Sequence, residues 1–364
     1  MLKKLETMDA ETLMTTPMQP LKFIVQGLIP QGLHVLAGSP KIGKSWLALW
    51  VCLQVSKGEK VWELETAQSD VLYLCLEDSF ARIQSRLFEI TDEASPTLHF
   101  AIMSDAIGNG LEKQIEDFIL EHPGTELVVI DTLQKVRKTV SANVNPYAAD
   151  YDDINALKQI ADKHKIAILL VHHLRKTSDS DPLNMISGTS GIAGGADTNF
   201  VLQKDKRTEN TATLICTGRD IEGRELFLEF NRYTFVWELV SPIVIDVLVI
   251  PQEIIILCDY VKSVGSFTGT ATELAEVLKL NLQPSVLKKK IIKHMAHLEK
   301  HGIHYSENRT FERREFSLCY DGNDGMTAES CPLNLPSLPS APSAERKIAA
   351  TDEIGGTANE AHQD

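Results

Sequence analysis

Through the first 250 residues, short apolar runs alternate with segments whose apolar positions recur at helical spacing. "LHVLAG" (33–38) predicts a buried strand, and "KSWLALWVCLQVSKG" after it predicts a helix ending at Gly58. "DVLYLCLED" (70–78), "LHFAIM" (98–103), "ELVVID" (126–131) and "KIAILLVHH" (165–173) predict four more strands. Between them lie three helical patterns: "SFARIQSRLFEI" with Ser79 as its cap, "EKQIEDFILEH" stopped by Pro123 and Gly124, and "YDDINALKQIADKH". Continuously apolar strands alternating with helices describe a parallel sheet covered on both faces.

The pattern changes after residue 197. "TNFVLQKD", "TATLICTGRD", "ELFLEFN" and "TFVWEL" follow at close spacing with polar turns between them, which predicts antiparallel strands extending one sheet edge. Residues 241–250 predict a linker or one more strand. In 251–320, three helical segments, "QEIIILCDYVKSV", "ATELAEVLKL" and "SVLKKKIIKHMAHLEKHG", precede a hairpin, "IHYSENRTFERREFSLCY", which is the winged-helix pattern. Its third helix places Leu287, Ile291, Met295 and Leu298 on one face, with Lys288, Lys289, Lys290, Lys293 and His294 off it. The tail from 321 carries four prolines and few apolar residues, a composition that predicts disorder.

The net charge of −14 argues against nucleic-acid binding only as an average. Within 279–314 nine bases face three acids, whereas 321–364 hold eight acids and two bases. Basic charge is thus concentrated just ahead of an acidic tail. No apolar run approaches the roughly 20 residues of a membrane span, and the N-terminus lacks the apolar core of a secretory signal. Six scattered cysteines, with Cys52, Cys75 and Cys216 inside apolar runs, suit a reducing cytoplasm better than a disulfide framework.

"GSPKIGKS" (38–45) follows the first strand and opens the first helix. Gly38-x-x-x-x-Gly43-Lys44-Ser45 is the phosphate-binding loop pattern, and its backbone from Gly38 through Ser39, Pro40, Lys41 and Ile42 to Gly43 can turn N–H groups inward. The helix start adds its dipole, Lys44 reaches the β- and γ-phosphates, Ser45 offers a hydroxyl to Mg²⁺, and Trp46 follows in the first turn. Asp131 leaves a buried strand and is the candidate carboxylate for Mg²⁺ through water. Glu77 and Asp78 end another strand, with Glu77 the candidate base for water and Asp78 the fallback. His172 and His173 end the fifth strand, where a polar residue can sense the γ-phosphate, and His173 is the favoured sensor. A zinc role for that pair lacks flanking partners at the usual spacing. Arg219 is a candidate finger for a neighbouring subunit's site, with Lys204, Lys206 and Arg207 as weaker alternatives and a surface ion pair as the plain reading. The run His294, His297, His301 and His304 reads as solvated positions on a basic helix rather than as a metal site.

With "GSPKIGKS", "YLCLED", "VVIDTLQKVR" and "LLVHHLRK" in that order, residues 20–240 resemble the RepA-type hexameric helicases and their AAA_25 relatives, ATPases with a RecA-like core. The resemblance implies an α/β RecA-like P-loop fold: a central, mostly parallel sheet with antiparallel C-terminal edge strands. The expected layout is an arm (1–20), the ATPase domain (21–240), a linker (241–250), a small winged-helix-like domain (251–320) and a disordered acidic tail (321–364). It further implies ATP and Mg²⁺ as cofactors, Lys44 and Ser45 on the phosphates, Glu77 as catalytic glutamate, Asp131 on Mg²⁺, His173 as sensor and Arg219 as finger. Members typically act in replication of plasmids, phages and integrating elements as homo-hexameric rings around DNA. A primase or initiator is a candidate partner, and duplex DNA is a candidate ligand of 251–320. In such rings the loops after the fourth and fifth strands face the channel. Here those loops open with Lys135, Arg137 and Lys138, and with Arg175 and Lys176, while Tyr147 and Tyr151 are the aromatic residues nearby. The alternatives are a RecA/RadA-like recombination ATPase and an ATP-gated DNA-binding regulator that does not separate strands.

Overall fold

In the computed structural model the inner strands of the central sheet send alternate side chains into two different cores. The structure describes residues 5, 7–138, 145–175, 179, 181–204, 206, 209–240, 250–309 and 314–321. A short helix α1 (Ala10–Thr15) is followed by a small hairpin, β1 (Phe23–Val25) and β2 (Ile29–Pro30), and then by β3 (Gly32–Gly38) and α2 (Lys44–Lys57). β3 is buried along its whole length. Leu33, Val35 and Ala37 join one core, and Leu36 joins the other with most of α2. This explains why the strand reads as an apolar run broken only at His34 and why α2 shows no polar face.

The alternation continues through β4 (Asp70–Cys75), α3 (Phe80–Ile90), β5 (Leu98–Ala101), α4 (Leu111–Glu121), β6 (Thr125–Asp131), a single turn α5 (Leu133–Val136), α6 (Pro146–His164) and β7 (Ala167–His173). Ser79 caps α3 by accepting from the Arg82 N–H. α6 begins five residues before the predicted stretch, because the Asn145 side chain accepts from Tyr147 N and Pro146 occupies the first turn. After β7 come a 3₁₀ turn (Pro182–Met185), α7 (Ser190–Gly195), β8 (Thr198–Gln203), β9 (Thr211–Gly218), β10 (Arg224–Phe230) and β11 (Trp237–Leu239). The nine-stranded sheet has the order β11-β10-β9-β8-β3-β7-β6-β4-β5.

One expectation is corrected here. β8 runs parallel to β3, so the antiparallel edge starts only with β9. The 3₁₀ turn and α7 carry the chain back across the sheet before β8 begins, and neither had a distinct apolar period to announce it.

Residues 18–249 form one compact unit, and residues 1–17 with 250–364 form another. In the second unit, α8 (Gln252–Val264), β12 (Ser266–Gly269), α9 (Ala271–Val277), α10 (Pro284–Lys293), α11 (Met295–Lys300), β13 (Ile303–Arg309) and β14 (Arg314–Tyr320) enclose a core that includes Leu257, Leu274, Leu287, Ile291, Leu298 and Phe316. The predicted third helix is broken at His294, which is buried rather than solvated. Three of the four lysines of α10 are committed to ion pairs within the unit: Lys288 to Glu307, Lys289 to Glu11 of α1, and Lys290 to Glu253. Cys52, Cys75, Cys216 and Cys258 are buried free thiols. Cys319 is disulfide-bonded, which the cysteine pattern did not anticipate. The predicted linker, apart from Ile250, and the tail beyond Asp321 lie outside the described residues. Among the described residues no helix is long and apolar enough to cross a membrane.

His34 interrupts the apolar pattern of β3 and is fully buried, with its Nε2 donating to the Pro30 carbonyl at 2.6 Å. Burial pushes its pKa down to about 4, against the opposing pull of that hydrogen bond and of Asp197. The folded pKa lies below the unfolded value of about 6.5, so the neutral ring stabilises the fold fully above that pH, and the contribution is lost as pH falls toward 4. Between pH 7.5 and 4.5 the loss is about 2–3 kcal/mol. Urea unfolding at the two pH values should show a smaller drop for His34→Leu than for wild type, and equal drops would refute the assignment.

Candidate nucleotide-binding site

Parallel strands deliver their C-terminal ends to one edge of the sheet, and the polar residues of this chain gather there. Gly38 pairs with His173 of β7 and with Leu202 of β8, while Asp131 pairs with Cys75 and with Val171. A chain leaving β3 at Gly38 therefore enters a crevice flanked by the ends of β7, β6 and β4, the usual ligand position in an open α/β sheet. The crevice is a cavity of about 580 Å³ lined by Pro40–Trp46, Glu77, Arg86, Asp131, Thr132, His173, Lys204 and Phe230. That size suits a nucleotide.

The loop geometry depends on glycine at 43. Its φ is +104°, and a Cβ there would lie 2.9 Å from Nε1 of Trp237. Trp237 in β11 donates from that nitrogen to the Gly43 carbonyl at 3.2 Å, and its own carbonyl accepts from Trp62 Nε1 at 2.7 Å. The last strand of the sheet thus braces the phosphate loop from outside. Lys44 is buried, and its Nζ donates to the carbonyls of Gly38 at 2.8 Å and Ser39 at 3.0 Å. Burial lowers its pKa to about 8, with Asp131 and Glu77 pulling the other way.

Asp131 is also buried. Burial raises its pKa, opposed by hydrogen bonds from the Ser45 hydroxyl and from Tyr73, whose OH donates at 2.9 Å. A serine hydroxyl touching a buried carboxylate beside a lysine is a hard-oxygen donor set that fits Mg²⁺ held through one hydroxyl and water. Glu77 lies on the cavity wall two residues beyond the end of β4. Asp78 is turned away and committed: it accepts from Arg82 at 2.9 Å and from Arg86 at 2.6 Å. The two histidines divide similarly. His173 lines the cavity, and burial followed by Lys44 repulsion lowers its pKa. His172 is buried, and its Nε2 donates to the Ser187 carbonyl at 2.9 Å.

Other predicted residues are not brought to the cavity. Arg219 follows β9, which is antiparallel to β8, so it lies where β8 begins, at the far end of the sheet. It pairs there with Asp197 at 3.3 Å. Any role for Arg219 in hydrolysis therefore requires a second copy. Lys204, at the end of β8, does line the cavity and lies over the Trp237 ring at 4.9 Å. Lys206 is exposed and pairs with Glu209, and Arg207 lies outside the described residues. The histidine run does not converge. The His297 and His301 rings are tilted at 40° with centroids 4.3 Å apart, and His301 Nδ1 donates to the His297 carbonyl.

Arg137, one of the bases that open the loop after β6, is held by Asp150 and by Asp153, the latter at 2.8 Å. Burial works against its charge, but the two carboxylates more than compensate and raise its pKa. Lys138 is exposed, Arg175 pairs with Asp179 at 3.6 Å, and Lys176 lies outside the described residues. Sequence reasoning missed Arg86, Phe230 and Trp237. Arg86 stands over the Trp46 ring at 5.5 Å, and Phe235 stacks on the same ring with centroids 4.9 Å apart. An arginine in mid-helix and an aromatic cluster in an edge hairpin carry no motif that could have flagged them.

The AAA_25 family model, an AAA domain, matches residues 2–179. Among solved structures, the chain is similar to one described as "ATPase Domain of G40P", with 16% identity, a TM-score of 0.48, and coverage of 58% of this chain and 85% of that one. It is also similar to "The Structure Of A DnaB-Like Replicative Helicase And Its Interactions With Primase", with 17% identity and a TM-score of 0.47. That match covers 57% of each chain, so this chain spans little more than half of that helicase. No curated protein matches.

Proposed function

We propose, from the match of the AAA_25 family model to residues 2–179, that the chain is a Mg²⁺-dependent ATPase that moves along or unwinds DNA as a ring of identical copies. Lys44 and the loop N–H groups hold the phosphates. Ser45 and Asp131 hold Mg²⁺, which when bound draws charge from the transferring phosphoryl group. Glu77 accepts a proton from the attacking water, and His173 faces the γ-phosphate position. Replication of a mobile element is the setting we favour.

One observation carries the coupling to DNA: the end of β7 serves the cavity and a loop at once. His173 lines the cavity, and its carbonyl accepts from Ser187 N at 2.9 Å. Two residues on, Thr189 N donates to Asp150 at 2.7 Å, and Asp150 also grips Arg137 of the neighbouring loop. A shift at the phosphate therefore has a continuous bonded route to both loops. Where the loops meet α6, Tyr147 and Tyr151 are exposed and parallel, with centroids 6.3 Å apart at 13°. Such a pair offers faces for base stacking, worth about 1–3 kcal/mol per base.

In the second unit, α8 to β14 follow the winged-helix order, and we read it as a docking module for duplex DNA or a replication partner such as a primase or initiator. The ion pairs of Lys288, Lys289 and Lys290 favour a protein partner, because phosphates would have to displace three carboxylates. The test is ATPase rate with and without single-stranded DNA, beside fork unwinding. Single-stranded DNA should raise the rate several-fold in wild type. Tyr147→Ala with Tyr151→Ala should remove most of that rise while leaving the DNA-free rate unchanged. An ATPase indifferent to DNA would sink the helicase reading in favour of a switch.

A further inference from the structure

The end of the sheet remote from the phosphate cavity gathers three side chains of metal-binding type. Asp70 opens β4, His99 is the second residue of β5, and His122 caps the C-terminus of α4. One ligand atom from each lies within 4.8 Å of the other two. β4 separates Asp70 from Cys75 by about 17 Å of strand at 3.3 Å per residue, so this cluster is distinct from the Ser45 and Asp131 pair.

The geometry suits coordination better than a hydrogen bond. His99 Nε2 and Asp70 Oδ1 are 3.5 Å apart. That is long for a charge-assisted hydrogen bond, which prefers about 2.7–2.9 Å. It is close to the donor–donor span of a tetrahedral zinc site, about 3.4 Å for bonds of about 2.0–2.1 Å. The remaining separations need to close by no more than about 1.4 Å, within reach of an imidazole rotation.

The surroundings hold the donors in place. Phe118, one turn before His122, lies against His122 with centroids 4.4 Å apart and meets His99 edge-on at 5.2 Å. The two imidazoles are 4.2 Å apart. Asp70 N donates to the Gly124 carbonyl at 2.9 Å, and a Cβ at Gly124 would come within 2.7 Å of Asp70 Oδ2. The absent side chain at 124 therefore leaves room for the carboxylate. All three donors are half-buried, so water can complete the coordination.

We propose that Asp70, His99 and His122 bind one divalent cation of the zinc class, which ties the start of β4 to β5 and to the turn between α4 and β6. Two imidazoles and one carboxylate select a borderline-soft metal over Mg²⁺, which prefers oxygen ligands and keeps much of its water.

The test uses the untagged full chain after treatment with a chelator. Calorimetric titration with ZnCl₂ should show one site that His122→Gln and Asp70→Asn each weaken by more than about 10-fold. His297→Ala with His301→Ala should leave that site intact, which excludes the second histidine group. CoCl₂ should broaden the imidazole resonances of His99 and His122 in wild type, a readout that depends on no variant. Zinc binding unchanged in His122→Gln, or cobalt leaving those two resonances sharp, would overturn the proposal.

Discussion

Lys44→Ala is expected to reduce ATP hydrolysis by about 100-fold or more, with the fold intact. The ammonium sits between the phosphate loop and two carboxylates, donating to the carbonyls of Gly38 and Ser39 and drawn by Asp131 and Glu77. The other cations lining the cavity are placed differently: Lys41 is exposed on the loop, Arg86 is bound to Asp78, and Lys204 lies over Trp237. The variant loses the buried ammonium of the loop, so it should lose nucleotide affinity as well as rate. Because burial already lowers the Lys44 pKa to about 8 in the free protein, phosphate binding should raise it and take up a proton. ATP binding to wild type near pH 8 should thus show proton uptake that the alanine variant lacks. Equal turnover by the variant would remove Lys44 from the site.

How much of this was readable beforehand depended on whether physics left a local trace. The strands of the sheet did, because burial on both faces demands apolar residues at every position: β3, β6 and β7 stand within two residues of their predicted bounds. Lys44, Glu77, Asp131 and His173 were legible because parallel strands must end at a common edge, so a polar residue at each end converges with the others in space. The direction of β8 was not legible. A strand of six residues reads the same either way, and only the return through α7 decides it. The partners of Arg137 were not legible for a related reason. Its neighbours in sequence suggested a free basic loop, whereas its partners, Asp150 and Asp153, lie a helix away. The same holds for α10, whose lysines look unopposed until Glu11, Glu253 and Glu307 arrive from three other elements. Trp237 shows the limit most plainly, since it supports Gly43 from 194 residues away.

Glu77→Gln is expected to slow hydrolysis by about 10²–10⁴-fold while leaving ATP affinity within a few-fold of wild type. The amide keeps the shape and the cavity contacts but cannot accept a proton from water. The separation between rate and binding is what distinguishes this residue from Lys44. The neighbouring carboxylate cannot substitute, because Asp78 accepts from Arg82 and Arg86 at once, and reaching the cavity would cost both ion pairs. Asp131 cannot substitute either, being buried and engaged with Ser45 and Tyr73. Single-turnover hydrolysis measured beside equilibrium binding of ATP separates the two quantities. If Glu77→Gln hydrolyses normally while Asp78→Asn does not, the base is Asp78, and the ion pairs that hold it must break when nucleotide binds. If neither variant is slowed, neither carboxylate at the end of β4 activates the water, and His173, which also lines the cavity, is the next residue to vary.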